Sequence, residues 1–233
     1  MKSISSVLCV LIVLLSVGAS ITSASDKYDP YFIDKRTLKK EYKRIALAPI
    51  ESPSSLAMPE SAKQAVEAQV IKRLQKRGYI VIPSDTLRGI RKTMIEQVGG
   101  LTDTATGKAD SAKIAAVRDH SLRELWRTQD FDALAQTRVE ITQAPIENDK
   151  AEWDGTSQKV KKKGRLRYTA NISASSVSFS IYDVREQPLY INYGGLEVLV
   201  ERIEAEFHPL DASEYFQDEK RLLKAVDIAL KPI

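Results

Sequence analysis

Short apolar runs alternate with helical stripes in the first half of the chain. Residues 44–50 and 79–83 are runs that predict short buried strands. Between them, apolar residues recur every fourth position, which predicts an amphipathic helix that ends at Gly78. The residues of this stripe are Ala62, Val66, Val70 and Leu74. Ser84 is expected to cap a further helix that ends at residues 99–100, so this half reads as a βαβ unit with parallel strands.

The period of the apolar positions changes from helical to alternating in the second half. Ser111 begins a predicted helix that ends near Thr128. Alternation then predicts strands at residues 133–145 and 172–184, followed by two strand pieces within residues 189–200, interrupted by Gly194 and Gly195. The turn at residues 183–188 makes this half antiparallel. A last helix is expected to be capped by Asp211 or Ser213.

The pattern therefore predicts one domain of the α/β (α+β) class over residues 43–233. Its sheet is expected to be small and mixed, with helices mainly on one face, a βαβ first half and an antiparallel second half. Residues 25–42 are polar and aromatic and are predicted to form an extended arm, with Asp34 capping a short helix.

Residues 1–24 have the order of a cleavable export signal. Lys2 precedes an apolar run from Val7 to Val17, and small residues follow up to Ala24, where cleavage is expected at or next to Ser25. An apolar run of this length is shorter than the roughly 20 residues that span a bilayer, so a retained anchor is the less favoured alternative. The mature chain is then predicted to be soluble and exported, in a bacterial periplasm.

Cys9 is the only cysteine of the 233-residue chain, and it lies within this signal. Its neighbours do not match a lipid-attachment signal, because Ser6 stands where leucine is expected and apolar residues follow it. The mature chain is therefore predicted to lack disulfides, thiol nucleophiles and thiolate metal ligands. The net charge of +4 falls by one when Lys2 is removed, and the charges are mixed, so nucleic acid is not an expected partner.

Catalytic and cofactor patterns are weak in this sequence. His120 and His208 are the only histidines, which are too few and too far apart to predict a zinc site. The serines at positions 173, 175, 176, 178 and 180 are interpreted as one polar face of a strand. Residues 99–108 lack the glycine and serine spacing of a phosphate loop and predict a turn between helices. No catalytic residue, metal or cofactor is predicted.

Two groups of residues remain as a possible interaction surface. One is a basic run at residues 159–167, interpreted as a hairpin tip that could contact anionic lipid headgroups. The other consists of aromatic residues, in the arm and just before the basic run. The full set is Lys159, Lys161, Lys162, Lys163, Arg165, Arg167, Trp153, Tyr28, Tyr31 and Phe32.

The strand at residues 44–50, the helix after it and the turn Lys76-Arg77-Gly78-Tyr79 resemble a group of bacterial envelope proteins. The order is similar to the anticodon-binding-domain-like fold of the amino-terminal domain of the Tol translocation protein, of lipoprotein activators of peptidoglycan synthases, and of the periplasmic domain of the curli secretion channel. The resemblance covers residues 44–200. It implies a non-enzymatic envelope role and carries over no catalytic residue.

The leading hypothesis is a periplasmic interaction or accessory protein whose partner is an envelope protein or peptidoglycan. One alternative is a hydrolase that uses two carboxylates, Asp154 with Glu140 or Glu147, because such chemistry needs neither histidine nor cysteine. A second alternative is a carrier of a small ligand or lipid, which would need an apolar cavity between sheet and helices.

Overall fold

The computed structural model describes residues 28–104, 106–163, 169–204 and 206–233, so the predicted signal and Cys9 lie outside the described residues. The described residues form five α-helices and ten strands. The helices are α1 Lys35–Glu41, α2 Glu60–Lys76, α3 Ser84–Gln97, α4 Ser111–Thr128 and α5 Glu219–Leu230. The strands are β1 Arg44–Leu47, β2 Ile80–Ile82, β3 Ala133–Glu147, β4 Lys150–Trp153, β5 Thr156–Lys159, β6 Lys162–Lys163, β7 Thr169–Asp183, β8 Pro188–Val198, β9 Val200–Ile203 and β10 Glu206–Pro209. Within these ranges, no helix is both long and apolar enough to cross a bilayer.

The main sheet is mixed, which confirms the α/β class. Strand β1 lies between two parallel partners, β2 and β3. Strand β3 then pairs along its whole length with antiparallel β7, which pairs with antiparallel β8. A small second sheet is formed by β10, β9 and β6. The predicted βαβ first half and antiparallel second half are both present.

The helices lie on both faces of the sheet, which corrects the expectation that they lie mainly on one. Ile45 and Leu47 of β1 pack in one core with apolar residues of α2 and α5, whereas Ala46 packs in another core with Leu87 of α3 and Leu125 of α4. The chain connects β1 to β2 on one side of β1 and then connects β2 to β3 on the other side of β1. Because such crossovers keep one hand, the connecting helices must pass over opposite faces.

The antiparallel half of the main sheet has its own apolar core, where the carboxyl end of β3 pairs with the amino end of β7. We call this cluster the β-half core. Two-residue turns, Asn148-Asp149 and Asp154-Gly155, fold β4 back on β3 and β5 back on β4, and all four residues have positive φ, as such hairpins require. Trp153 of β4 is buried in this core, and its indole Nε1 donates to the carbonyl of Ser175 at 3.0 Å. The hairpin thereby covers one end of the sheet face.

The edge of β8 is covered by the segment that precedes α1. The Ile191 amide donates to the Pro30 carbonyl at 2.9 Å, and the Phe32 amide donates to the Leu189 carbonyl at 3.0 Å. Leu38 of α1 is buried in the core that α2 and α5 share. Residues 30–38 therefore complete both the sheet and this core.

Strand β8 runs through Gly194 and Gly195, where the sequence had predicted an interruption. A Cβ atom at position 194 would lie 2.0 Å from the backbone oxygen of Ala225 in α5. A Cβ atom at position 195 would lie 2.7 Å from the backbone oxygen of Trp153. The glycines thus allow backbone to approach the strand on both faces, without ending it.

The last helix also begins later than predicted. Asp211 caps only a short 3₁₀ turn at Ala212–Glu214, and α5 begins after Asp218, whose carboxylate accepts from the Arg221 amide at 3.0 Å. Between them Phe216 has a φ of 61°, which breaks the helical path. Its amide donates to the buried carboxylate of Glu197 at 3.1 Å.

Substitution of Gly194 by alanine is expected to lower the free energy of unfolding by about 2 kcal/mol or more, because α5 must move away from β8. Gly89 is a matched control, since it lies inside α3 with open space around it. Gly89→Ala is expected to raise the free energy of unfolding by about 0.5–1 kcal/mol. Urea denaturation followed by circular dichroism measures both values, and equal effects would contradict the packing described for Gly194.

Burial raises the pKa of Glu197, although the amide hydrogen bond from Phe216 and the nearby Arg221 oppose this effect. A carboxyl group with a raised pKa stabilises the fold most below its ordinary pKa, and this contribution is lost as pH rises through the raised value. Glu197→Gln keeps an acceptor for Phe216 and is expected to gain stability relative to the parent protein over that rise. Melting temperatures from pH 4 to 8 test this expectation, with the exposed Glu96→Gln as control. A constant difference across the range would contradict it.

Candidate functional site

A groove opens on the sheet face that α3 and α4 cover, and it extends from the carboxyl end of β1 to the amino end of β3. The first part of the groove is a cavity of about 460 Å³ between the α3 and α4 helices, the extension of β1 and the end of β7. It is lined by Ala48, Pro49, Glu51, Leu87, Arg91, Arg118, Leu122, Leu134, Gln136, Arg138, Tyr182, Asp183 and Glu186.

A second cavity of about 280 Å³ continues the groove along α4. Both cavities are lined by Leu122, Leu134, Asp183 and Glu186, so they form one channel on the surface. Its far end is formed by Phe131 and by Trp126, whose exposed fraction is 49%. We call the whole channel the α4 groove.

Helix caps fix the two helices that wall the α4 groove. The Glu67 carboxylate of α2 accepts from the Ser84 amide at 2.9 Å and from the Ser84 hydroxyl at 2.6 Å, which holds the start of α3. The Asp110 carboxylate accepts from the Ala112 and Lys113 amides at 3.0 Å each, which holds the start of α4. Satisfying the first amides of a helix in this way stabilises it by about 1 kcal/mol.

The two rims of the α4 groove differ in net charge. The helix rim carries three arginines and one acid, Arg91, Arg118, Arg123 and Asp119, whereas the end of β7 and its turn carry Asp183 and Glu186. Glu51 and Arg138, which also line the groove, form an ion pair with each other at 3.0 Å. Asp183 accepts from the amides of residues 185 and 187 at 2.8 Å each, so its carboxylate holds its own turn. Within the described residues, neither Arg91 nor Arg123 forms an ion pair, and Arg118 pairs at 3.0 Å with its neighbour Asp119.

A row of serines continues the same sheet face beyond the groove. Ser176, Ser178 and Ser180 of β7 share the face that carries Gln136 and Arg138, and all three are buried. Ser173 and Ser175 point to the opposite face, so the predicted single serine face holds for only three of the five. The three serines lie beneath larger side chains and do not face solvent.

Two carboxylates are fixed over this serine row. The Ser176 hydroxyl donates to Asp154 at 2.5 Å, and the Ser178 hydroxyl donates to Glu140 at 2.7 Å. Serines two positions apart on a strand are roughly 7 Å apart. The predicted pair of Asp154 with Glu140 is therefore brought together, whereas Glu147 lies at the far end of β3 on the opposite face.

The pKa of Tyr193 on β8 responds to both carboxylates. Burial raises the pKa of its phenol, and the charges of Glu140 and Asp154 raise it further, as does the neighbouring Tyr28. The rings of Tyr28 and Tyr193 are tilted, with their centres 6.5 Å apart. The serine row therefore forms a negatively charged, aromatic surface next to the α4 groove.

The basic run does not form a hairpin tip in the part that the structure describes. Lys159 is an exposed residue of β5, and the Lys161 ammonium pairs with Glu214. Lys162 and Lys163 form β6, which pairs in parallel with β9. Arg165 and Arg167 lie outside the described residues. The neighbouring hairpin turn is Asp154-Gly155, because those residues accept the positive φ that a two-residue turn needs.

The aromatic residues of the predicted interaction surface fall into two groups. Trp153 is buried in the β-half core and is not accessible to a partner, which corrects its inclusion in that surface. Tyr31 packs edge-on against Tyr190 and donates to the Pro232 carbonyl, and burial raises its pKa to about 12. Tyr28 and Phe32 are more than half exposed.

Neither histidine lies in a catalytic arrangement. His120 is exposed on α4. His208 lies in β10, opposite Glu201 of β9. Across the described ranges, no three His, Cys, Asp or Glu side chains are placed to hold a metal ion. Residues 99–104 and 106–108 lie in the predicted turn between α3 and α4, where the Gly107 amide donates to the Asp103 carbonyl at 2.8 Å.

Sequence reasoning did not predict the α4 groove. One signal was present: Trp126 interrupts the polar side of a helix whose apolar stripe runs through Val117 and Leu125. Contiguous apolar patches mark binding surfaces, whereas single exposed apolar residues are common, so Trp126 alone could not identify the groove. The rest of the groove comes from segments far apart in the chain.

Comparison with known proteins adds no further identification. No protein-family model matches the chain, and the search of curated proteins finds no significant match.

The charge of Glu140 is expected to control the pKa of Tyr193. Glu140→Gln removes one nearby negative charge and is expected to lower that pKa, because the tyrosinate is then repelled less. Carbon-13 NMR of labelled tyrosine rings during a pH titration measures the change. Glu147→Gln is the matched control and should leave Tyr193 unchanged. An equal response to both variants would show that Glu140 does not face Tyr193.

Proposed function

We propose that this protein is a non-enzymatic interaction or accessory protein, exported to a bacterial periplasm, and that it binds its partner through the α4 groove. The observation that carries the proposal is the groove itself, an open channel over the sheet with an apolar floor, an exposed tryptophan and arginines on its rim. Tryptophan and arginine contribute a large share of binding energy at protein interfaces.

The proposal of export rests on the order of charged, apolar and small residues in positions 1–24. Two features are compatible with it. The described part of the chain contains no cysteine, and its stability comes from packed apolar cores that need no disulfide. The similarity of residues 44–83 to envelope proteins supports the same compartment, with an envelope protein or peptidoglycan as partner.

The exposed lysines offer a further contact with the membrane. Lys159 and Lys161 are exposed on either side of Val160, which is buried in the β-half core, and Lys161 also pairs with Glu214. Peripheral attraction to anionic headgroups adds about 1 kcal/mol for each lysine near the surface. In this proposal such attraction assists localisation, whereas the α4 groove provides specific binding.

A carboxylate-based hydrolase is the second candidate, and one observation favours it. Asp154 and Glu140 lie on one sheet face and are held in place by Ser176 and Ser178. Glycoside hydrolysis uses two carboxyl groups on opposite sides of the scissile bond, about 5–10 Å apart. Zymography with purified peptidoglycan tests this candidate: clearing by the parent protein that is lost in both Glu140→Gln and Asp154→Asn would favour it.

The carrier alternative finds less support. Between the sheet and α5 the backbones are in direct contact at Gly194, so a ligand cannot lie there without displacing the helix. The space between the sheet and α2 is filled by Val66, Val70 and Leu74.

Export is tested by measuring the intact mass of the protein recovered from fractionated bacteria. We expect a periplasmic protein that begins at or next to Ser25, because the small residues before it suit the signal peptidase. A protein that keeps Met1 and remains in the cytoplasm would contradict the proposal.

The binding surface is tested by site-specific photo-crosslinking in living cells. A photoreactive residue in place of Trp126 is expected to capture a discrete partner. The same residue in place of Lys72, an exposed position on the opposite face, is the matched control. Placing it at Phe32 and Lys159 examines the surfaces predicted from the sequence. Capture only at those two positions would move the binding surface away from the α4 groove.

A further inference from the structure

We infer that the α4 groove binds an extended, acidic segment of a partner polypeptide, with an apolar side chain of that segment against Trp126. This inference rests on the proposed function and names the chemical class of the partner. Three features of the groove support it: the sign and position of its charges, its length, and the chemistry of its far end.

The arginines of the helix rim are available to a ligand. Arg91 and Arg123 form no ion pair among the described residues, and Arg118 has only the exposed Asp119 beside it. An exposed ion pair of that kind contributes little to stability, so the Arg118 guanidinium can exchange its partner easily. Carboxylates bind guanidinium groups through paired, charge-assisted hydrogen bonds. A ligand with acidic side chains therefore complements this rim.

The opposite rim distinguishes a peptide from other anionic ligands. Asp183 and Glu186 would repel a nucleic acid strand or a row of lipid phosphates, because these carry negative charge along their whole length. An extended peptide is different, since its backbone amides can donate to acceptors on one side while its acidic side chains face the arginines on the other. Gln136 and Tyr182 provide additional polar groups along this side.

The length of the groove also suits a peptide. Its two cavities, about 460 Å³ and 280 Å³, are joined through Leu122 and Leu134, which form an apolar floor. Successive side chains of an extended segment point in opposite directions. Alternate residues can therefore face this floor while those between them face the rims.

The far end of the groove provides the anchor. Trp126 leaves half of its surface exposed, and Phe131 and Arg123 line the same cavity. Covering a large exposed aromatic side chain stabilises a complex, because apolar surface is removed from water. A leucine, phenylalanine or similar side chain of the partner would cover it.

The test is selection from a random-peptide library on the immobilised protein, purified in the form that the cell produces. We expect enrichment of peptides that combine aspartate or glutamate with an apolar residue. An enriched peptide is then synthesised with a fluorescent label, together with a version in which every acidic residue is replaced by its amide. Fluorescence anisotropy measures the Kd of each.

The variants Arg118→Glu and Trp126→Ala are each expected to raise the Kd by about tenfold or more. The amide peptide should bind as weakly as the acidic peptide binds to Arg118→Glu, and added salt should weaken binding of the acidic peptide. Lys72→Glu and Phe32→Ala are the charge-matched and apolar controls, and both should leave the Kd unchanged. Circular dichroism confirms that the variants are folded, which their exposed positions favour.

Selection of basic or uncharged peptides, or no selection at all, would overturn the inference. A Kd that is indifferent to Arg118→Glu and Trp126→Ala would also overturn it. These outcomes are independent of compartment, because the measurement uses purified protein. Crosslinking through position 126 without selection of acidic peptides would overturn this inference alone, whereas peptide binding by a protein that is not exported would contradict the proposed compartment alone.

Discussion

The close approach of α5 to β8 is the contact on which most of the structure depends. The Tyr190 hydroxyl donates to the Ala229 carbonyl at 2.6 Å, and the Asn192 amide donates to the same carbonyl at 3.0 Å, so the end of α5 is fixed to the strand by buried hydrogen bonds. Because Gly194 has no side chain, the helix can pack directly on the sheet.

From this position the Asp227 carboxylate of α5 accepts from Arg73 and Gln69 of α2, which joins the two helices that cover the larger core. The segment before α1 is held to the same region through Tyr31 and Pro232. One helix thus links the sheet, α2 and the beginning of the described chain.

Because α5 is fixed to β8, one face of the sheet is rigid, whereas the other face is open. The α2 and α5 face is filled by aliphatic side chains, whereas the opposite face has apolar packing only at its two ends, beneath α3 and α4 and beneath the β4–β5 hairpin. Between those ends the sheet presents serines, carboxylates and tyrosines. Burial of Ser176 and Ser178 is tolerated because each hydroxyl has a carboxylate acceptor. The groove and the serine row therefore lie on a surface whose backbone is held in place from behind.

The apolar period predicted most elements, because burial on one face imposes it directly. The prediction was accurate for β1, α2, β2, α3 and α4, and for the long antiparallel strands. It was wrong about the faces that the helices occupy, since the order of strands across a sheet leaves no trace in a local pattern. It also interrupted β8 at Gly194, because a glycine that permits close packing looks the same in sequence as one that ends a strand.

For the site, the pairing of Asp154 with Glu140 was one of two alternatives, while the α4 groove combines residues from 48 to 186 that only the fold brings together. Asp154-Gly155 was a readable hairpin signal and would have placed the turn before the basic run.

The bridge that residues 30–32 form with β8 has a consequence for association between copies of the chain. It covers the first part of the β8 edge, and the β4–β5 turn covers a later part, where the Gly195 amide donates to the Asp154 carbonyl at 3.0 Å. An exposed strand edge is a template on which another chain can add. A molecule cut after Phe32 would therefore present the hydrogen-bonding groups of Leu189 and Ile191 to its neighbours and become prone to strand exchange between copies. Residues 30–32 therefore oppose self-association by covering the β8 edge. The solubility of the protein then depends on an intact amino-terminal segment.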